Sequence, residues 1–177
     1  MAKYIEAPER KHKVITNHSI FLAGGITGCG NWQAQTTDEL MSIENLTILN
    51  PRRKNWDMNA GPEVSVLQIK WEYDFLRKAT EVLFWFTPDT LQPIALYELG
   101  ATLQRNAKVW NTKDKVIPTY GQTIFIGCDP NYQRKFDVQV QAKLIGYPYK
   151  VYESLESLLA CIKDYYDKLN RRYAERN

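Results

Sequence analysis

Cysteine is scarce in this chain. The three present, Cys29, Cys128 and Cys161, are odd in number and show no Cys-x-x-Cys spacing, which excludes a disulfide scaffold and a cysteine-built zinc site. Histidine is scarcer, and His12 and His18 stand isolated near the N-terminus, offering neither a ligand cluster nor a convincing general base. Long hydrophobic runs are missing: the longest, such as Val82 to Phe86, fall far short of the ~20 residues a membrane-spanning helix needs. Nor does one sign of charge dominate. There are 23 Lys+Arg against 20 Asp+Glu, with the excess near Arg10 to Lys13 and Arg171 to Arg176, so a nucleic-acid partner is not expected. These absences lead us to expect a soluble, unprocessed cytoplasmic protein with no metal and no cofactor.

What the chain has is apolar content. At 44% hydrophobic over 177 residues it can bury one sizeable core and is too short for two ordinary domains. Residues 1–18 lack periodicity and contain Pro8, and read as a flexible N-terminal arm rather than a first strand; residues 19–177 read as a single domain. Ile20 to Ala23, a short apolar run ended by two glycines, has the pattern of a strand buried on both faces. Leu46 to Leu49, Glu81 to Phe86, Thr123 to Gly127 and Tyr149 to Tyr152 read as four more strands. Between and after them, helices are expected at Asn31 to Asn45, Val64 to Thr80, Pro93 to Gln104, Tyr132 to Leu144 and Leu155 to Tyr173. In the second of these, Val64, Leu67, Trp71, Phe75 and Leu76 form a core-facing stripe. Residues 107–122 read as a lid or a surface loop. The alternation predicts a three-layer α/β sandwich, Rossmann-like, with a five-stranded parallel sheet of order 2-1-3-4-5.

In such a sheet, ligands bind beyond the carboxyl ends of the strands, where the strand order reverses. That point lies between the first and third expected strands, so the loops Gly24 to Trp32 and Thr87 to Gln92 should converge on one cleft. The segment Pro93-Ile94-Ala95-Leu96-Tyr97-Glu98-Leu99-Gly100 places one carboxylate in an apolar helical start. A buried acid costs several kcal/mol unless it is paired or used. Asp74 is the candidate second acid, since two carboxylates in one cleft separate their pKa values and suit chemistry at a sugar C1'; the alternative is a solvated helix residue. Gly24, Gly25 and Ile26 open a glycine loop that either lets backbone N–H groups approach a ligand or simply turns tightly. It matches neither the dinucleotide nor the P-loop pattern. Trp32, just past the loop, is placed to stack on a nucleobase, while Trp71 and Trp85 read first as core. Arg52, with Arg53, either reaches a phosphate or is a surface arginine.

Taken together, Phe21-Leu22-Ala23-Gly24-Gly25-Ile26, Trp32, Asn50-Pro51-Arg52-Arg53, Gln68-Ile69-Lys70-Trp71-Glu72, Phe84-Trp85-Phe86 and Pro93 to Gly100 resemble the nucleoside 2-deoxyribosyltransferase-like family, in its bacterial and phage branch. The resemblance spans about residues 19–160. It implies a flavodoxin-like fold and cleavage of the N-glycosidic bond of a 2'-deoxynucleoside or its 5'-monophosphate by a glutamate attacking C1', with transfer of the sugar to another free nucleobase. Glu98 matches the nucleophile and Asp74 an aspartate that handles protons at the base; no metal or cofactor is implied. The substrate-binding residues expected are Gly24, Gly25, Ile26, Trp32, Arg52, Trp71 and Gln92. Gln92 stands where better-studied members carry another acid. Those members also share sites between subunits, so a homo-oligomer is expected. The competing readings are an N-glycosidase that admits water, a non-catalytic nucleotide-binding module and a nucleic-acid binder.

Overall fold

The computed structural model describes residues 1–9, 18–55, 61–110 and 121–175, with 108–110 as backbone only. The basic cluster with His12 and most of the expected lid at 107–122 lie outside the described residues. The elements in chain order are β1 Lys3–Glu6, β2 His18–Gly24, α1 Trp32–Leu40, β3 Leu46–Asn50, α2 Pro62–Lys78, β4 Glu81–Phe86, α3 Pro93–Trp110, β5 Thr123–Cys128, α4 Lys135–Leu144 and α5 Leu155–Ala174. The five strands form one parallel sheet in the order β1-β3-β2-β4-β5.

This is the expected α/β class with one change at the edges. The central order of four strands agrees, but the fifth strand is β1, from the segment read as a flexible arm. It pairs along β3 from Lys3↔Thr47 to Glu6↔Asn50. Only Ile5 of its four residues is buried, so it carries no hydrophobic run to betray it. At the other edge, Tyr149 to Tyr152 adds a single bridge, Gly127↔Tyr152, made by Tyr152 N to Ile126 O and Cys128 N to Tyr152 O.

Two cores flank the sheet. On one face α2, α3 and α4 pack through Trp71, Leu76, Leu99, Leu103 and Val138; on the other α1 and α5 pack through Trp32, Leu40, Leu158 and Ile162. Asn31 caps α1, its side chain accepting from Ala34 N at 3.1 Å, the role its short polar side chain favours. The helix stops at Leu40, short of the expected Asn45, which itself sits at φ 58°, a left-handed conformation that Asn tolerates. The stripe expected on α2 is half right: Trp71 and Leu76 are buried, but Leu67 is 52% exposed, and in the first two turns of α2 only Gln68 is buried.

The amino-terminal edge of the sheet is fastened by Glu81, 2% exposed. Its carboxylate meets His18 Nδ1 at 3.1 Å and accepts from Tyr165 and Tyr166 hydroxyls at 3.2 and 3.1 Å. At the opposite edge β2 and β4 run side by side to Gly24↔Trp85. From β2 the chain passes through α1 on one face to β3, then through α2 on the other face to β4. The order therefore reverses between β2 and β4, and their carboxyl ends open onto a common crevice.

Candidate active site

The end of β2 is shaped by close packing. A Cβ on Gly24 would sit 2.2 Å from the Trp85 carbonyl oxygen, and one on Gly25 would sit 2.4 Å from Cys29 Sγ and 2.7 Å from Gln92 Cδ. Only glycine fits at Gly24, where the obstacle is backbone, and a methyl at Gly25 would have to displace the Cys29 and Gln92 side chains. The loop that follows is held by side chains aimed at its backbone. Gly25 O accepts from Trp32 Nε1 at 2.9 Å and Gln33 Nε2 at 3.1 Å. Arg52 donates from Nη1 to Gly30 O at 2.9 Å and Gln33 Oε1 at 3.1 Å, and from Nη2 to Cys29 O at 3.0 Å. The Asp89 carboxylate accepts from Gly30 N at 3.3 Å.

Between this loop and the start of α3 lies a cleft of about 410 Å³, walled by Phe21, Ala23, Pro51, Leu91 and Ile94 and carrying two carboxylic acids, Glu98 of α3 and Glu72 of α2. Its volume is within the ~300–1,000 Å³ of small-molecule sites. Burial, and then the charge of Glu72, push the Glu98 carboxyl from 4.5 up to about 8. Glu72 is also raised by burial, and is eased back toward its charged form by Gln68, whose Nε2 donates to Glu72 Oε1 and to Pro51 O, each at 2.8 Å. Glu98 therefore favours its protonated form near neutral pH, beside a second carboxyl whose own shift is opposed by the Gln68 hydrogen bond, in a partly dehydrated pocket.

Gln92 braces the turn into α3. It holds φ 50°, a left-handed conformation costly for a side-chain-bearing residue. Its Nε2 donates to Thr87 O at 2.7 Å, Thr87 Oγ1 at 3.0 Å and Thr90 O at 3.3 Å. A carboxylate in the same pose would face three oxygens, so the amide is what this loop requires.

Of the residues expected from sequence, Gly24, Gly25, Ile26, Gln92 and Glu98 line the cleft. Four do not. Trp32 is 5% exposed, spent on Gly25 O and the α1/α5 core, and has no face free to stack on a base. Trp71 is fully buried against Phe21 and Phe75 because it lies at the centre of the α2 stripe. Arg52 is engaged with the glycine loop's own acceptors. Asp74 is absent from the cleft lining: two residues beyond Glu72, it is turned about 200° around α2. Sequence reasoning missed Glu72, although its placement amid Gln68, Trp71, Phe75 and Leu76 on the core-facing side was a readable signal. Tyr132 donates its hydroxyl to Leu91 O at 2.7 Å and supports the loop without lining the cleft.

The family model described as nucleoside 2-deoxyribosyltransferase like matches residues 17–115, more than half of the chain and the stretch that supplies β2, Glu72 and Glu98. The chain belongs to the nucleoside 2-deoxyribosyltransferase-like family. Membership brings with it a glycosyl-transfer or N-glycosidase role on small nucleoside substrates. The match takes in both acids and the loop that Arg52 holds, and leaves β5, α4 and α5 outside. No curated protein matches the chain. Among the described residues no cluster of three or more His, Cys, Asp or Glu is arranged to hold a metal ion, and no helix is long and apolar enough to cross a membrane.

Proposed function

We propose that this protein cleaves the N-glycosidic bond of a 2'-deoxynucleoside and passes the deoxyribosyl group to a second nucleobase, with Glu98 as nucleophile and Glu72, rather than Asp74, as the proton carrier. The observation that carries the reading is the pair itself: two partly buried carboxyls in one cleft, one raised to about 8 by burial and by its neighbour's charge. Base departure from a sugar needs an anion at C1' and a proton at the base nitrogen. A pair sharing one proton holds both.

In the empty cleft the proton rests mainly on Glu98. A bound nucleoside displaces water from Glu72, which favours its protonated form, while the positive charge growing at C1' favours the anion on Glu98. Glu98 Oε then forms a bond to C1' as the C1'–N bond breaks, and the Glu72 proton goes to the leaving base. In the second half an incoming base attacks C1', the Glu98 ester bond breaks, and the proton lost by the incoming base returns to Glu72. Two inversions retain the configuration. Gln68 keeps Glu72 oriented without adding charge.

Self-association is part of the proposal. Leu91, Ile94 and Tyr97, at the cleft mouth and on the outer face of α3, are 47%, 66% and 76% exposed, a patch that a second copy would cover. Sedimentation velocity tests this; a monomer at tens of micromolar would count against it.

The activity is tested by incubating each 2'-deoxynucleoside with and without a second free base and following the bases by chromatography. Exchange that is lost in Glu98→Gln and at least 100-fold slower in Glu72→Gln supports the transferase. Release without exchange makes water the acceptor, and the protein an N-glycosidase. Full activity in Glu98→Gln would overturn the assignment.

A further inference from the structure

We propose that Gln33 and Arg52 are positioning residues that hold the Gly25–Ile26 peptide with its N–H turned into the cleft, where it donates to the bound substrate; the inference rests on the nucleoside reading above. The carbonyl of that peptide is held from the far side. Gly25 O accepts from Trp32 Nε1 at 2.9 Å and from Gln33 Nε2 at 3.1 Å. Both donors belong to α1, which packs on the opposite face of the sheet from α2 and α3. The peptide is trans, so its N–H and its C=O point in opposite directions. With the oxygen drawn toward α1, the Ile26 N–H faces the α2 and α3 side, where Ile26 lines the cleft. Among the described residues no protein atom accepts from it.

Gln33 cannot exchange its two ends. Its Oε1 accepts from Arg52 Nη1 at 3.1 Å, and a guanidinium has donors only, so the amide oxygen must face Arg52 and the amide nitrogen must face Gly25 O. Arg52 is itself fixed by Cys29 O and Gly30 O, at 3.0 and 2.9 Å. The bonds therefore run from the residues after β3, through α1, to the end of β2: Arg52 sets Gln33, and Gln33 sets the peptide. Gln33 is fully buried, where a polar side chain keeps its partners, so the donor is aimed before substrate arrives. A group fixed in advance loses little freedom on binding. The glycine loop is the wall of the cleft facing α3, which carries Glu98, so this bond holds substrate and transition state alike.

The test is made on the full chain, by kinetics and by amide NMR. Gln33→Glu keeps the acceptor for Arg52 and sets a carboxylate against Gly25 O, so the peptide must turn away. KM for a 2'-deoxynucleoside should rise about tenfold, the worth of one hydrogen bond, with kcat held within about twofold. Gln33→Met, which loses the donor without adding charge, should raise KM about threefold and carries the test if Gln33→Glu does not fold. Arg52→Met should also raise KM, and the double Met variant by less than the product of the two, because both act on one peptide. A fall in kcat at unchanged KM, the mark of less folded protein, overturns the inference, as do unchanged kinetics in all variants. The NMR arm titrates the wild-type protein with a carbocyclic 2'-deoxynucleoside, which lacks the ring oxygen that supports charge at C1' and is not cleaved. The Ile26 amide should shift and its solvent exchange should slow at least tenfold. Shifts at other cleft amides with Ile26 unmoved sink the inference and leave the glycosyl-transfer reading standing. A response at Ile26 without cleavage of any natural nucleoside upholds the inference and sinks that reading, and failure of the ligand to bind overturns both.

Discussion

Replacing Glu98 by glutamine should remove a pH-dependent part of the stability that the wild-type protein carries. In the folded chain burial and the neighbouring Glu72 hold the carboxyl at about 8 instead of 4.5; in the unfolded chain it returns to the ordinary range. Between those values the folded state binds a proton that the unfolded state has released, so unfolding free energy falls as pH rises. The contribution is complete below about 4.5 and is gone once pH has passed through about 8. At about 1.4 kcal/mol per unit, the full displacement corresponds to roughly 4–5 kcal/mol. Water at the open side of the cleft screens part of the charge, so the measurable loss is about 2–4 kcal/mol. Glutamine has nearly the same shape and no charge at any pH. Urea unfolding of both proteins at intervals from about pH 5 to 9 isolates the effect of the acid pair, because the titrating groups remote from the cleft cancel in the difference. Wild type minus Glu98→Gln should decline across the series by about 2–4 kcal/mol. A difference flat to within ~0.5 kcal/mol, or one that rises, would refute the reasoning.

Other consequences follow from the same geometry. Because catalysis needs one proton on the acid pair, kcat/KM for base release should fall above about pH 8 and also at low pH once both acids are protonated; a rate still climbing at alkaline pH would remove the pair from the mechanism. Gly24→Ala should fail to give soluble folded protein, since the added methyl would sit 2.2 Å from the Trp85 carbonyl oxygen; a normal melting curve would contradict the packing described. Glu81→Leu should lower stability by about 3 kcal/mol, because His18, Tyr165 and Tyr166 lose a common acceptor inside the fold. Tyr166→Phe, which removes only one of those donors, should cost about 1 kcal/mol in the same denaturation assay.

Much of the fold is legible in the chain because the strands that matter are buried on both faces. β2 and β4 show continuous apolar runs, and each ends in residues that cannot extend it. β1 escapes notice for the converse reason: as an edge strand with one buried side chain it needs no apolar run, and its identity depends on β3 lying beside it. Tyr149 to Tyr152 has strand-like composition but meets β5 only at Tyr152, whose N–H donates to Ile126 O and whose carbonyl accepts from Cys128 N. At the site, Glu98 is legible because an acid in an apolar helical start is conspicuous. The choice between Glu72 and Asp74 is a question of helix phase, and the buried positions of Trp71 and Leu76 decide it in favour of Glu72. Trp32 and Arg52 are legible as residues near the cleft but not in their roles, since these depend on which way the Gly25, Cys29 and Gly30 carbonyls point, a property of the folded loop that composition does not carry.

The most direct test of the central claim is to look for the sugar on Glu98. The protein is mixed with a 2'-deoxynucleoside, quenched in acid during steady turnover and digested for peptide mass spectrometry. One deoxyribosyl adduct is expected on the peptide that contains Glu98, diminished when a second free base is present to accept the sugar and missing from Glu98→Gln. Steady turnover with no adduct at Glu98, in a protein whose Glu98→Gln variant still releases base, would contradict it.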